Sequence, residues 1–119
     1  MRQDEERCQI AVVNSLRSYD DLIVFSVPNG GLRSKKAAAR LKASGVLAGV
    51  SDLIILFRSG RCVFLEMKAE NGKQSTAQKW FQKTVEYFGF DYHIIQTSNP
   101  YEAVARVEKI IKQYRQEKS

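Results

Sequence analysis

Three charged residues lie at the ends of two apolar runs in the middle of the chain. Asp52 comes directly before the run LIILF, whereas Glu66 and Lys68 end the run RCVFLEMK. Burying a charged side chain costs several kcal/mol unless the charge is paired or bound to a cation. Two carboxylates and an amine at the ends of predicted core strands therefore indicate a site with a chemical role.

The two apolar runs are predicted to form an antiparallel hairpin, because only the short connector RSG separates them. Side chains at positions i and i+2 of a strand share a face, so Glu66 and Lys68 point the same way and Met67 points into the core. Counting outward from the turn places Asp52 across from residues 66–68. We therefore expect two acids and a lysine to converge at one end of a sheet.

Such a group suits the hydrolysis of phosphodiester bonds. Two carboxylates, with the backbone carbonyl of Met67 and waters, make an oxygen-rich site for Mg²⁺ or Mn²⁺. Lys68 could orient or help deprotonate the attacking water, or stabilise charge in the transition state. The plainer alternative is that Asp52 caps a strand and that Glu66 and Lys68 form a surface ion pair, worth about 0–1 kcal/mol.

The rest of the chain supplies elements that can position this hairpin. Helical spacing of apolar residues, strand-like runs and turn signals predict eight segments. They are a helix over 3–18, a strand over 21–28, a short helix or basic arm over 34–44, strands over 51–57 and 61–68, a helix over 75–89, a strand over 91–98 and a helix over 99–116. This order predicts one α/β domain over residues 1–119, with a mixed central sheet of about four strands flanked by helices.

Several short motifs, taken in order, resemble the VRR-NUC domain family of the PD-(D/E)xK nuclease superfamily. They are Glu5-x-x-x-Gln9, Pro28-Asn29-Gly30, Gly49-Val50-Ser51-Asp52, Glu66-Met67-Lys68 and Gln78. The match covers residues 5 to about 96. Ser51 stands where the superfamily name has proline. The resemblance implies a restriction-endonuclease-like α/β core and a metal-dependent nuclease.

The resemblance also implies roles for the matching residues. Asp52 and Glu66 would hold the metal with the Met67 carbonyl, and Lys68 would position the attacking water.

Two supporting positions carry alternatives. Glu5 would approach the metal with support from Gln9, although Glu6 competes with Glu5 for this role. Gln78 would assist at the water or at a phosphate oxygen, and Gln74 competes less well with it. Without the resemblance, Glu5 and Gln9 would be solvated residues of a first helical turn, and Gln78 an exposed helix residue.

A basic segment with no acid among its charges favours DNA as the partner. Its cations are Arg33, Lys35, Lys36, Arg40 and Lys42, and the loop at Asn29 with its glycines lies just before them. The chain carries a formal net charge of +6. Clustered cations that track a phosphate backbone are typical of nucleic-acid binding, although a solvated basic face is the plainer interpretation.

Other classes of site are disfavoured. Cys8, Cys62 and the single histidine, His93, have no zinc-type spacing, which argues against a zinc site and a histidine-dependent triad. We expect the two cysteines to be buried and reduced, with a disulfide as the alternative. The aromatic residues of the helix over 75–89, among them Trp80, are expected to serve core or dimer packing rather than base stacking.

The N-terminus is charged and no apolar run approaches the ~20 residues of a membrane span, so we expect a cytoplasmic protein with no membrane or small-molecule partner. Stand-alone members of the family are viral or bacterial, resemble Holliday-junction resolvases and act as homodimers. The resemblance thus implies a structure-specific endodeoxyribonuclease acting on branched DNA, in a bacterial cell or a phage-infected host. The alternatives are a restriction-like or repair exonuclease using the same site, and a non-catalytic DNA-binding subunit.

Overall fold

The computed structural model describes residues 3–28 and 34–116. Within these ranges the elements follow the predicted order, and the segment after Ser34 is a helix rather than an arm. The bounds are α1 Gln3–Leu16, β1 Leu22–Ser26, α2 Lys35–Ala43, β2 Leu53–Phe57, β3 Cys62–Lys68, α3 Thr76–Tyr87, β4 Asp91–Gln96 and α4 Pro100–Gln116.

The four strands form one mixed sheet in the order β1-β2-β3-β4. The strands β1, β2 and β3 pair antiparallel in sequence order, and β4 pairs parallel with β3. Parallel neighbours need a crossover, which the helix α3 provides. The predicted α/β class and four-stranded mixed sheet are thus confirmed.

The two faces of the sheet are covered differently. One face packs against α1 and α4 and forms the main core, because alternate residues of each strand point to it. Its buried residues include Leu53, Ile55, Val63, Leu65 and Met67 from the sheet, Cys8, Val12 and Leu16 from α1, and Ala103, Val107 and Ile111 from α4. On the other face, α3 covers only the β3–β4 half, where Phe81 and Val85 pack with Tyr92 and Phe64.

Part of that second face is uncovered in the described chain. Ile23 is 62% exposed, Phe25 42% and Leu56 41%, and Ile23 pairs directly across the ladder with Leu56. These three residues, called the open apolar face below, lie on the edge strand β1 and on β2. Large exposed apolar patches mark interaction sites more often than isolated exposed side chains do.

The helix ends follow the signals in the sequence. Ser75 accepts from the backbone N–H of Gln78, while the side-chain oxygen of Gln78 accepts from the N–H of Ser75, so α3 begins with a capping box. Asn99 caps α4 by accepting from the N–H of Tyr101.

Only some of the side chains expected to be buried lie in the core, and dimer packing of the others stays a prediction. Of the aromatic residues of α3, Phe81 is buried, but Trp80 is 52% and Tyr87 89% exposed, because only one stripe of the helix faces the sheet. Both cysteines are free, yet Cys62 is only half-buried because it starts β3 at the uncovered side. No helix in the described ranges is long and apolar enough to cross a membrane.

Candidate active site

The hairpin of β2 and β3 places Asp52 beside the end of β3. Leu53 pairs with Leu65 across the ladder, as the count from the turn predicts. Asp52 Oδ2 accepts a hydrogen bond of 2.6 Å from the backbone N–H of Met67, and the carbonyl of Asp52 accepts from the N–H of Val27. The aspartate is therefore fixed from both sides at the end of the sheet.

Glu66 is the most unusual residue of the site, because its side chain is fully buried. Its Oε1 accepts from the hydroxyl of Tyr92 and, at 2.9 Å, from the side-chain amide of Gln74. Its Oε2 is buried and has no hydrogen-bond partner among the described residues, and Lys68 Nζ lies 3.8 Å away from it. A buried carboxylate oxygen without a hydrogen bond is costly, so Oε2 is a strong candidate for a cation ligand.

Lys68 shares the face of Glu66, as the alternation along β3 predicts. Its side chain is only 12% exposed. Lysine side chains are rarely buried without a charged partner. The burial of Lys68 therefore indicates that the fold holds its amine near the carboxylates. Met67 points the other way and is buried in the main core.

The helix α1 brings a third acid to the same end of the sheet. Glu5 Oε2 accepts from the backbone N–H of Ala69, one residue beyond β3, at 3.3 Å. Glu6 is exposed. The fold thus places Glu5, rather than Glu6, at the site.

The surroundings of Asp52 oppose its ionisation. Burial raises the pKa of Asp52 above its ordinary value, and the negative charges of Glu66 and Glu5 raise it further. The Met67 N–H and the Lys68 amine oppose this effect only in part. A carboxyl group in this environment gains stability when a cation approaches it.

The donor set fits a hard divalent cation. Carboxylate oxygens are the ligands that Mg²⁺ and Mn²⁺ prefer, and Mg²⁺ usually keeps several waters while binding only one or two carboxylates. Within residues 3–28 and 34–116, no three acidic, histidine or cysteine side chains lie close enough together to hold a metal ion. The fit therefore rests on Asp52 and on the unpaired oxygen of Glu66, with Glu5 in an outer position.

The two glutamine candidates have different positions in the structure. Gln74 donates both to Glu66 and, at 2.8 Å, to the side-chain oxygen of Gln82. Gln78 uses its side-chain oxygen in the capping box of α3. The structure thus brings Gln74, the weaker candidate from sequence, into direct contact with Glu66.

Tyr92 is the functional candidate that sequence reasoning missed. Burial and the neighbouring Glu66 raise the pKa of Tyr92, so its hydroxyl remains a hydrogen-bond donor at neutral pH. Phe64 pairs with Tyr92 across the parallel ladder, which puts Tyr92 on the face of Glu66. The register of β4 is the signal that identifies it, and no local pattern reveals that register.

Gly49 lets the segment before Asp52 lie against the start of α3. Its φ is +90°, and a Cβ built there would lie 2.3 Å from the carbonyl oxygen of Ala77. Such a distance is far below van der Waals contact, so only glycine fits. This close approach couples the position of Asp52 to the helix that follows the site.

The described residues among the predicted DNA contacts lie on α1 and α2. Lys35, Lys36, Arg40 and Lys42 are exposed on α2, which has no buried residue. Asn29 and Arg33 lie outside the described residues. Gln9 is half-buried on α1, and its side-chain oxygen has no hydrogen-bond partner in the described part of the chain.

The fold and the site define a small α/β protein of the nuclease class, with an acid pair and a lysine at the end of a hairpin. The chain matches the VRR-NUC domain over residues 2–99 and belongs to this family of nucleases. The resemblance inferred from the motifs is thereby confirmed, and with it DNA as the class of substrate.

Solved structures agree on the fold. A VRR-NUC domain protein superimposes with a TM-score of 0.69 at 20% identity, covering 94% of this chain and 91% of that chain. A second VRR-NUC domain gives a TM-score of 0.65 at 18% identity, covering 95% of this chain and 99% of that one. No curated protein matches the sequence.

Proposed function

We propose that the protein is a Mg²⁺- or Mn²⁺-dependent endodeoxyribonuclease that cuts branched DNA such as four-way Holliday junctions. The observation that carries the metal site is the fully buried Glu66, whose Oε2 has no hydrogen bond within the described chain and faces an amine. The preference for branched DNA rests on the family resemblance.

The acidic residues of the site would bind the cation. Asp52 and Glu66 would hold the cation, with the Met67 carbonyl as a further ligand and Glu5 at the edge of the site. When bound, the cation supplies positive charge that neutralises the phosphate and favours deprotonation of the attacking water.

Lys68 would orient that water, since it lies on the face of Glu66. Tyr92 and Gln74 keep the Glu66 carboxylate in one orientation, so that its second oxygen is presented to the cation. Gln78 would contact a phosphate oxygen through its amide nitrogen, because its side-chain oxygen is engaged in the cap of α3.

The basic helix α2 would hold the DNA backbone. Its four exposed cations contain no acid among them, which favours phosphate contacts over ion pairs within the protein. Arg33, Asn29 and Gln9 are the further residues proposed to contact the DNA.

The open apolar face is the surface that supports a homodimer. Ile23 and Phe25 on an edge strand would be buried by a second copy of the chain. An apolar contact of this kind is typical of a stable dimer if it removes about 1,000 Å² or more of protein surface from solvent.

Cleavage of labelled DNA tests the proposal. We expect wild-type protein to cut a four-way junction in Mg²⁺ but not in EDTA, and to cut a linear duplex of the same arm sequence more slowly. Lys68→Ala and Asp52→Asn should each reduce the rate by at least ~100-fold, whereas Lys109→Ala on α4 should not.

Three results would contradict parts of this proposal. If Lys68→Ala and Asp52→Asn cut as well as wild type, the site is misassigned. Equal rates on junction and duplex would exclude the preference for branches. Calorimetry that detects no binding of Mg²⁺ or Mn²⁺ would indicate a DNA-binding subunit without catalysis.

A further inference from the structure

A groove of about 580 Å³ lies between α2 and α3, apart from the carboxylates. Leu41 and Lys42 of α2 form one wall, Val46 and Leu47 form the floor, and Trp80 of α3 forms the opposite wall. The lining is mostly apolar, and its volume is that of an ordinary small-ligand cleft.

Trp80 is 52% exposed at this groove. Tryptophan is usually well buried because of its large apolar surface, and a half-exposed indole beside a groove is a common feature of binding surfaces. Val46 and Leu47 are also exposed, at 42% and 46%. The groove thus presents a flat aromatic wall and an apolar floor to solvent.

The charged residue that lines the groove is a cation. Lys42 lines it, and Lys83 is exposed on α3 one turn beyond Trp80. Between residues 22 and 51 the sequence has no acid. An occupant must therefore combine an apolar, flat group with negative charge.

The groove lies close to the active site along the chain. Its floor ends at Ala48, four residues before Asp52, and Gly49 packs against Ala77 at the start of the helix that carries Trp80. Four extended residues span at most about 14 Å, so an occupant would lie within a few nucleotides of the metal-binding acids.

We propose that this groove binds an unpaired nucleobase of the DNA substrate, stacked on Trp80, with its flanking phosphates on Lys42 and Lys83. Exposed aromatic side chains within a basic groove form the usual platform for single-stranded nucleic acid, because every base has a stacking face. The inference rests on the proposed nuclease function and specifies what it recognises. Unpaired bases beside a branch point are the part of the substrate that enters the groove.

The single tryptophan of the chain makes the test direct. In EDTA, where no cleavage is expected, titration with an oligothymidylate should quench the fluorescence of Trp80 in a saturable manner that weakens with salt. An abasic strand of equal length carries the same phosphates without bases, and it should bind more weakly and leave the emission unchanged.

Binding of a dye-labelled oligothymidylate, followed by anisotropy, separates stacking from charge. We expect Trp80→Leu to weaken binding by about 10-fold. Tyr87→Leu removes a more exposed aromatic residue of the same helix that lies outside the groove, and it should have no effect. Lys42→Gln should lower the slope of log K against log salt by about one. Circular dichroism checks that each variant is folded.

Each contrary outcome has a clear meaning. Binding by anisotropy without quenching would overturn the proposal, because the base would lie elsewhere. Emission that shifts on dilution without DNA would show that a second copy fills the groove, and it would also overturn the proposal. If the junction is cut in Mg²⁺ but Trp80→Leu binds as wild type, the nuclease function stands and only the groove assignment fails. If DNA is neither bound nor cut, both fail.

Discussion

At the scale of single residues, Asp52 occupies a position that opposes its own ionisation. Burial and two nearby acids raise its pKa, while its hydrogen bond to the Met67 N–H holds it in place. Natural sites often keep such groups at a cost to stability because function requires them. Changing a charge of the site should therefore alter the free energy of unfolding as well as the activity.

Replacing Asp52 with asparagine should stabilise the protein in the absence of metal. The amide oxygen can still accept from the Met67 N–H, while the repulsion from Glu66 and Glu5 disappears. We expect the free energy of unfolding in EDTA to rise by about 1 kcal/mol. Urea denaturation measures this change, and Asp20→Asn, at an exposed position, is the matched control.

Magnesium should make wild type more stable than Asp52→Asn. Wild type should gain stability with increasing Mg²⁺, by about 2.7 kcal/mol at one hundred times the dissociation constant, whereas Asp52→Asn should gain little. Equal gains in the two proteins would show that Asp52 is not a ligand.

Gln78 offers a test that separates the helix cap from catalysis. Glutamate at this position keeps a side-chain oxygen for the capping box and also favours the helix N-terminus, so Gln78→Glu should retain the stability of wild type. The variant lacks the amide nitrogen and adds negative charge near the phosphate, so junction cleavage should fall by roughly 10-fold or more. Undiminished cleavage by this variant would exclude a contact between Gln78 and the substrate.

The sequence predicted the residues that belong to one strand pair better than those that join it from afar. Alternation along β3 is sufficient to put Glu66 and Lys68 on one face and Met67 on the other. Tyr92 and Gln74 reach Glu66 through the parallel register of β4 and the loop before α3. Such contacts depend on tertiary packing, which local patterns do not encode.

At the scale of elements, the site depends on how the segment before β2 lies against α3. The order of helices and strands could be predicted because caps, turns and periodicity are local. The close contact of Gly49 with Ala77 could not, because it joins segments that are separated by the whole hairpin. The exposure of Trp80 likewise depends on which stripe of α3 meets the sheet.

Alanine at Gly49 should be far more harmful than alanine at Gly45. Both glycines have positive φ, of +90° and +110°, so each substitution carries backbone strain of about 1–2 kcal/mol. Only at Gly49 would the added methyl group collide with a neighbour, whereas the space around Gly45 is open. We expect the free energy of unfolding to fall by about 3 kcal/mol in Gly49→Ala and by about 1 kcal/mol in Gly45→Ala. Equal losses in the two variants would exclude the close contact between Gly49 and Ala77.

The contact between His93 of β4 and Tyr114 of α4 should make the free energy of unfolding depend on pH. Its ring nitrogen lies 2.8 Å from the hydroxyl of Tyr114, and burial lowers the pKa of His93 below its ordinary value of 6.5, although Asp91 and Glu86 oppose this. As the pH falls, His93 is therefore protonated in the unfolded chain before it is protonated in the folded protein. Its contribution to the free energy of unfolding is lost between pH 6.5 and the lower pKa that it has in the folded state.

The histidine effect can be isolated because the chain has only one histidine. Wild type should lose more unfolding free energy between pH 7.5 and pH 5.5 than His93→Gln, as measured by urea denaturation. An identical pH dependence in the two proteins would show that His93 is equally protonated in both states.

At the scale of the whole molecule, the uneven covering of the sheet is the feature with the widest effect. The helices α1 and α4 cover one face and form the main core with it, while α3 leaves the open apolar face exposed in the described chain. A net charge of +6 opposes association of two copies at low salt, so an apolar contact must outweigh that repulsion.

Lysine at Ile23 should dissociate the proposed homodimer. Light scattering after size exclusion should give twice the 13.6 kDa chain mass for wild type and one chain mass for Ile23→Lys. Tyr101→Lys introduces the same charge at a residue of α4 that is 88% exposed, and it should remain dimeric. A wild-type protein that is monomeric at all concentrations would exclude the dimer.

The hairpin that carries the acids has a consequence for the order of folding. Asp52 and its partner Met67 are 15 residues apart, whereas Tyr92 is 26 residues from Glu66 and Glu5 is 64 from Ala69. Short loops close at a lower entropy cost than long ones, so the acid pair can assemble before the groups that orient it. During synthesis, the charged centre would thus exist on the emerging chain before β4 arrives with the tyrosine that orients Glu66.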